Sequence, residues 1–511
     1  MDCPVFRKLS LFIAIILLLS PEAKASLAEI LRFEHYNTAR GLSQNTATSI
    51  LCDSKGYLWI GTNNGLNRFD GNKFRVFMNE QAGEQNFSHN RIVNIWEDAR
   101  GFIWFETHDA HYHYFDPVSE KFQSLTYLFP ELGEGHAVFN QFLQYSDDEV
   151  WIGLSNRGVL RLIYQAESHT YKVTHYTARG SSAISNNNVA FIESDRDGNI
   201  WIGTHRGLSF AAASSLKGSA PVFNHFFISH SFSSIIETAT ELWFGTKEDG
   251  ILKFQKQSQL YTYINVENSP TLRSDKILKL HITRNGRIMA SFYQDGMQIH
   301  LPGTNKWSNV ELNGVQVENI YEDRANKVWI TTEKFGISAY DLERGKSEFH
   351  QFLDPKQSTL PDTERHVFYE DSNNNLWIGT HEGALNLYDR SKGEFVKYMN
   401  DPKNSNSISS NIVMCITEDH SGQLWVGTGQ FQGGLEKVIL KNPAFEHLLP
   451  QPEGNHISDN IVRAVIEDPD KRIWAATKAG RLHVFDEGRK TFVFDRFVCD
   501  KGVLTGVNIY T

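Results

Sequence analysis

Nine of the eleven tryptophans of this 511-residue chain stand in one recurring frame. Trp59, Trp104, Trp151, Trp201, Trp243, Trp329, Trp377, Trp425 and Trp474 occupy "YLWIGT", "FIWFET", "EVWIGL", "NIWIGT", "ELWFGT", "KVWITT", "NLWIGT", "QLWVGT" and "RIWAAT". A tenth copy, "RIMASF", carries Met289 at the indole position, and successive copies lie 40 to 50 residues apart. A repeat of this length describes a supersecondary unit that cannot cover both of its own faces, so its neighbours must. A large aromatic at a fixed place then fills the gap between one unit and the next. The tryptophan array is therefore read as structural rather than as a ladder for stacking ligands.

Each unit divides into four short strands. A first apolar run such as "IVMCITED" leads to an acidic residue six positions before the tryptophan in seven copies: Asp53, Asp98, Asp195, Asp323, Asp371, Asp419 and Asp468. Gly56, Gly101, Gly198 and Gly422 lie three residues after four of them. Asp bonds its own backbone in a turn and Gly supplies positive φ, so these are tight hairpins into the "LWIGT" strand. A loop ending in Gly leads to a third strand ("GLNRFD"), and runs such as "KFRVF" make the fourth. Four antiparallel strands at this period predict an all-β chain of β-propeller architecture.

Composition narrows the class further. Aromatics at 12% and charged residues at 22% suit a folded, sheet-rich chain, and a net charge of -10 offers no field for nucleic acid. Arg7 and Lys8 precede the apolar run Leu9–Ser20, followed by small residues at Ala23 and Ala25. This is the layout of an export signal over residues 1–25, which predicts a periplasmic mature chain. Cys52, Cys415 and Cys499 are few, odd in number and set in apolar runs, so they read as buried thiols rather than disulfides or metal ligands.

The wording of the repeat, "GLSQNTATSILCDSKGYLWIGTNNGLNRFDGNKF" at 41–74, resembles the two-component regulator propeller repeat. The resemblance runs from about residue 31 to the end; the copies around Trp151, Trp243 and Met289 depart from it in lacking the Asp. It implies the sensor region of a bacterial receptor, either a hybrid histidine kinase or a diguanylate cyclase, acting as a homodimer. Such a receptor would meet the inner membrane only through a C-terminal part absent from these residues. Counting copies predicts a first seven-bladed propeller over 31–345 and an incomplete second over 346–511, with three blades and a truncated strand at Leu504–Thr511. On this reading "LRFEHY" (Leu31–Tyr36) completes the Trp329 blade, while "EFHQFL" (Glu348–Leu353) opens the second ring.

Loops between second and third strands, together with those between blades, gather on one side of a propeller, where a ligand would sit. The candidate residues are Asn63, Asn64, His89, Asn90, His108, Asp109, Asn156, Arg157, His205, Arg206, Lys247, Asp249, Asp295 and Lys334. Polar groups converging on one mouth suit a charged or polyhydroxylated small molecule, a glycan among them. Ser43, Asn45 and their counterparts in the L-S-x-N stretches also serve backbone groups in turns. His111 and His113 alternate in "HDAHYHYFD", but with no third ligand fixed by spacing the sequence implies no metal and no cofactor. G-x-S-x-G, H-E-x-x-H and phosphate loops are absent from the chain. The reading is a ligand-binding sensor without catalytic residues; the alternatives are a propeller-fold glycan-active enzyme, lyase or sialidase-like, and a protein-docking scaffold.

Overall fold

A computed structural model describes residues 31–79, 87–125, 139–218, 221–312, 314, 316–332, 336–350, 366–429, 433–439, 461–469, 472–478, 482–486, 491–494, 498–499 and 502–503. The expected signal segment, the strand at Leu504–Thr511 and Lys334 lie outside the described residues. Every tryptophan copy, and the Met289 copy, is one four-stranded antiparallel sheet. In the Trp59 sheet the strands are Ala47–Cys52, Leu58–Thr62, Gly65–Phe69 and Phe74–Phe77, paired in that order. The second strand is buried on both faces, because this sheet lies between the Trp104 and Trp425 sheets.

The aspartate six residues before the indole does two jobs. In the Trp59 sheet, Asp53 Oδ1 accepts the backbone N–H groups of Lys55 and Tyr57, holding the hairpin, while Oδ2 accepts the indole N–H of Trp59 at 2.8 Å. The same indole-to-carboxylate bond recurs at Trp104, Trp201, Trp329, Trp377, Trp425 and Trp474, at 2.6–3.0 Å. A buried indole N–H needs an acceptor, and this carboxylate is the one the turn already supplies. The three copies that lack the Asp solve the same problem differently. Trp151 and Trp243 donate to Glu149 and Glu241, two residues upstream. Each of those glutamates pairs with a cation directly across the ladder from the indole, Arg161 at 2.8 Å and Lys253 at 3.3 Å. The Met289 copy has no indole to satisfy, and Thr283 holds its turn through its backbone and a hydroxyl that accepts Arg287 N–H at 2.9 Å.

Glycine after the tryptophan lets the sheets approach. A Cβ at Gly61 would lie 2.8 Å from Ile92 in the next sheet, and at Gly379 it would lie 2.3 Å from Val413. In the Trp425 sheet the equivalent Gly427 faces Ala47, whose carbonyl oxygen would be 3.0 Å from the added carbon. Ala47 belongs to the first sheet, so the Trp425 sheet packs directly on the Trp59 sheet and closes the sequence of sheets on itself.

This closure corrects the expected ring. Arg32–Tyr36 pairs antiparallel with Leu435–Ile439, the third strand of the Trp425 sheet, and not with the Trp329 sheet. The Trp329 sheet already owns a fourth strand, Lys346–His350, reached through a tight turn at Gly345 from Ile337–Asp341. Glu348 to His350 therefore belong to that sheet and do not begin a second ring; residues 351–353 lie outside the described ones. A local hairpin wins over a distant strand because the loop it closes is shorter. The division of the chain falls later than expected as well, into compact units Met1–Leu440 and Lys441–Thr511 instead of 31–345 and 346–511.

Side chains fasten the closing strand. Phe33 joins the cluster containing Trp377, Leu387 and Val438, and Tyr36 packs against Trp425, Phe69 and Phe74. His35 Nδ1 lies 2.5 Å from Glu436 Oε2, and Glu436, which is buried, also accepts from Ser409. The second unit contains the four-stranded sheet around Trp474. Within that unit Val462, Val465 and Ile466 of the first strand are exposed, whereas Ile92 and Val189, the counterparts of Val462 in the first unit, are buried.

Candidate ligand-binding mouth

The two loop sets expected to share one side do so through backbone hydrogen bonds. Turns between second and third strands are tied to the segment leading into the next sheet: Gly65 N–H to Asn90 O, Gly158 N–H to Asn187 O, Gly207 N–H to His230 O, Gly250 N–H to Asp275 O, and Ala384 N–H to Asn411 O. Asn63 and Asn64, His108 and Asp109, Asn156 and Arg157, His205 and Arg206, Lys247 and Asp249, and Asp295 all occupy these turns. His89 and Asn90 occupy the segment before Ile92.

Part of this polar set is scaffolding. The serine of each L-S-x-N stretch reaches the threonine that ends the second strand: Ser43 to Thr62, Ser88 to Thr107, Ser185 to Thr204, Ser409 to Thr428. The asparagine side chain closes the inter-sheet loop, as Asn90 Oδ1 does by accepting Asn79 N–H at 2.6 Å. Asp109 is held by Ser88, Thr107 and His111. His113 is buried against Ser88 and Thr107, and burial pushes its pKa down to about 3, so it is neutral. His89 and His108 face each other with ring centroids 5.9 Å apart. Among the described residues no group of three or more His, Cys, Asp or Glu is placed to hold a metal ion.

A cavity of about 530 Å³ gathers the turns of the Trp201, Trp243 and Met289 sheets. Its polar groups are His205, Lys247, Glu248, Lys276, Ser233 and Tyr293, over a floor from the first strands that includes Val189 and Ile277. The Lys247 ammonium donates to His205 Nε2 at 2.9 Å, across two sheets. Burial, then the Lys247 charge, lowers the His205 pKa, which keeps the imidazole neutral and an acceptor. Two lysines against one glutamate leave the cavity with a net positive polar lining, suited to a carboxylate or another anionic group.

Of the expected residues, His205 and Lys247 enter this cavity. Asn63, Asn64, His89, Asn90, His108, Asp109, Asn156, Arg157, Arg206, Asp249 and Asp295 share its side of the sheets without lining it. His175 takes the Arg157 carbonyl, and Asp249 lies 4.0 Å from His230. Lys276 and Tyr293 were not among the expected residues. A signal for Lys276 existed, because it holds the position just before the first strand that Thr46, Arg91 and Asn188 hold in other copies. Tyr293 opens a turn whose only sequence mark is its departure from the asparagines and histidines found elsewhere.

The family profile described as two component regulator propeller matches residues 41–64, 183–206, 359–382 and 407–430. Among curated proteins, Histidine kinase P4 of Formosa agariphila is 38% identical over 56 residues, which are 11% of this chain and 4% of that protein. The chain thus spans a small fraction of the length of that relative. Among solved structures, the extracellular domain assigned to hybrid two component system BT4673 of B. thetaiotaomicron aligns over 92% of this chain and 70% of its own, at 18% identity and a TM-score of 0.36. The Dos1 propeller aligns over 83% of this chain and 98% of its own, at 12% identity and a TM-score of 0.46. No described helix is long and apolar enough to cross a membrane. The chain thus carries the two-component regulator propeller repeat at four places, within a chain built of four-stranded antiparallel sheets.

Proposed function

We propose that this chain is the extracytoplasmic, ligand-binding region of a bacterial signal-transduction receptor whose output is a histidine kinase or a diguanylate cyclase. The observation that carries the reading is the cavity formed by the Trp201, Trp243 and Met289 sheets, on the side that carries the turns between their second and third strands. Lys247 and Lys276 come from different sheets, so a small anionic ligand bridging them would tie neighbouring blades together. A ligand that changes the relation between blades has a mechanical route to the rest of a dimeric receptor. The chain's export signal, a membrane-attached full receptor and its homodimeric state belong to the same proposal.

Thermal shift of the full chain against small carboxylates, sugar acids and neutral oligosaccharides tests it. A ligand that binds the native state raises Tm by mass action, about 2.7 kcal/mol of stabilisation at a hundred times Kd. The expected result is a saturable shift from an anionic compound, lost in Lys247→Ala and Lys276→Ala. A shift that survives both substitutions places the ligand elsewhere and refutes this assignment.

A further inference from the structure

A second cavity of about 340 Å³ lies between the Trp201 and Trp243 sheets, away from the polar turns, and its walls are aromatic. Trp201, Phe210, Phe226, Phe244, Phe254 and Tyr261 line it. Phe210, Phe244 and Phe254 have ring centroids 4.6, 5.4 and 5.7 Å from that of Trp201, at inclinations of 50–61°. Rings so inclined form a cage rather than a stack.

The opening has a cause in the chain. The fourth strand of the Trp201 sheet is only Asn224–Phe226, three residues, where the Trp151 sheet has seven, Thr170–Tyr176. Before that strand the chain turns away into the helix Ala213–Leu216. Leu216 and Phe223 pack into the cluster of Trp151 and Tyr176, and Arg161 holds the carbonyls of Leu216 and Gly218. Chain that would extend the outer strand instead covers the preceding sheet. Phe226 and Tyr261 are consequently 41% and 54% exposed at the cavity's rim, with Leu260 beside them.

The polar groups at this cavity are predominantly acidic. Asp195, Asp197 and Lys256 line it, and Lys256 is held at 2.8 Å by Asp197 and at 2.5 Å by Glu237. Two carboxylates thus line the cavity against one ammonium, while Glu237 behind Lys256 is shared with Arg196. Asp195 is committed to the Trp201 indole and its own turn, so Asp197, two-thirds exposed and bonded to Lys256 through Oδ2, is the carboxylate a ligand would meet. Aromatic rings around a space with excess negative charge attract an organic cation, whose positive charge interacts with the ring faces.

We propose that this cleft is a second binding site, specific for a small quaternary or alkylated ammonium compound. It shares no lining residue with the cavity beneath the polar turns, so it stands or falls independently of the sensor assignment.

Choline and its neutral isostere 3,3-dimethyl-1-butanol are the probes, titrated into the full chain by calorimetry and by ligand-observed NMR. Choline is expected to bind at least about tenfold more tightly than the alcohol, and more weakly as salt rises. Phe226→Ala, Tyr261→Ala and Asp197→Asn alter exposed side chains, so folding is retained, and each is expected to weaken choline at least threefold. Lys247→Ala should leave choline binding unchanged. Equal binding of the two probes, no binding of choline, or choline affinity untouched by all three cleft substitutions overturns the proposal.

Discussion

The buried pair Glu149–Arg161 offers the sharpest test of how an atypical sheet is held. The Arg161 side chain is 2% exposed; its Nε and Nη2 donate to Glu149 at 2.8 and 3.0 Å, and Nη1 and Nη2 donate to the carbonyls of Gly218 and Leu216. Arg161→Met removes the cation while leaving the Glu149 carboxylate in place, with the Trp151 indole still donating to it at 2.6 Å. An uncompensated buried charge costs about 3–5 kcal/mol. With an unfolding entropy of about 2.1 cal/mol/K per residue over roughly 400 residues, that is a fall in Tm of about 4–6 °C. The double substitution Glu149→Gln with Arg161→Met keeps an oxygen for the indole and removes the charge, so it should recover to within about 1–2 kcal/mol of the parent. Calorimetry and urea unfolding followed by tryptophan fluorescence measure both. Lys253→Met, at the more exposed Glu241–Lys253 pair, should cost less and serves as the internal comparison. A double variant as unstable as Arg161→Met alone, or an Arg161→Met cost below about 1 kcal/mol, would refute the reasoning.

Two further predictions concern the closing strand. The hydrogen bond to Glu436 raises the His35 pKa above its ordinary 6.5, against the opposing effect of burial. A raised folded-state pKa contributes stability that is fully present below about 6.5 and is lost as pH rises through the folded value. The chain should therefore lose stability as pH rises above about 6.5, and His35→Gln should flatten that part of the curve; an unchanged slope in His35→Gln removes the histidine from the account. Gly427→Ala would place a carbon 2.4 Å from Cys415 Sγ and 3.0 Å from the Ala47 carbonyl, and overpacking of this kind costs about 1–3 kcal/mol. Gly71→Ala, where an added carbon meets nothing within 4 Å but φ is +94°, gives the contrasting case of backbone strain alone. Equilibrium unfolding of both separates packing between the Trp425 and Trp59 sheets from local conformation, and a neutral Gly427→Ala would refute the close approach.

Much of this protein follows from local sequence. The tryptophan frame, the Asp–Gly hairpins and the short apolar runs between them announce four-stranded sheets because each sheet is built of consecutive hairpins, whose contacts lie close along the chain. The second duty of the aspartate, accepting the indole six residues on, was open to a reader who asked where a buried N–H would go. Glu149 and Arg161 were open in the same way, since one precedes the indole by two residues and the other stands across the ladder from it.

What the tertiary structure alone decided depends on contacts distant in the chain. Which sheet receives Arg32–Tyr36 cannot be read from that strand, because any third strand with an open edge offers the same backbone groups. The choice rests on Phe33 and Tyr36 fitting beside Trp377 and Trp425, and on His35 meeting Glu436, some four hundred positions away. The candidate sites have the same origin. Lys247 and Lys276 converge because adjacent sheets are staggered around a common face, and the aromatic cleft opens because residues 212–218 pack backward on the preceding sheet. Periodicity fixes what each sheet is, whereas the side chains that meet between sheets decide which edges close and which gaps stay open.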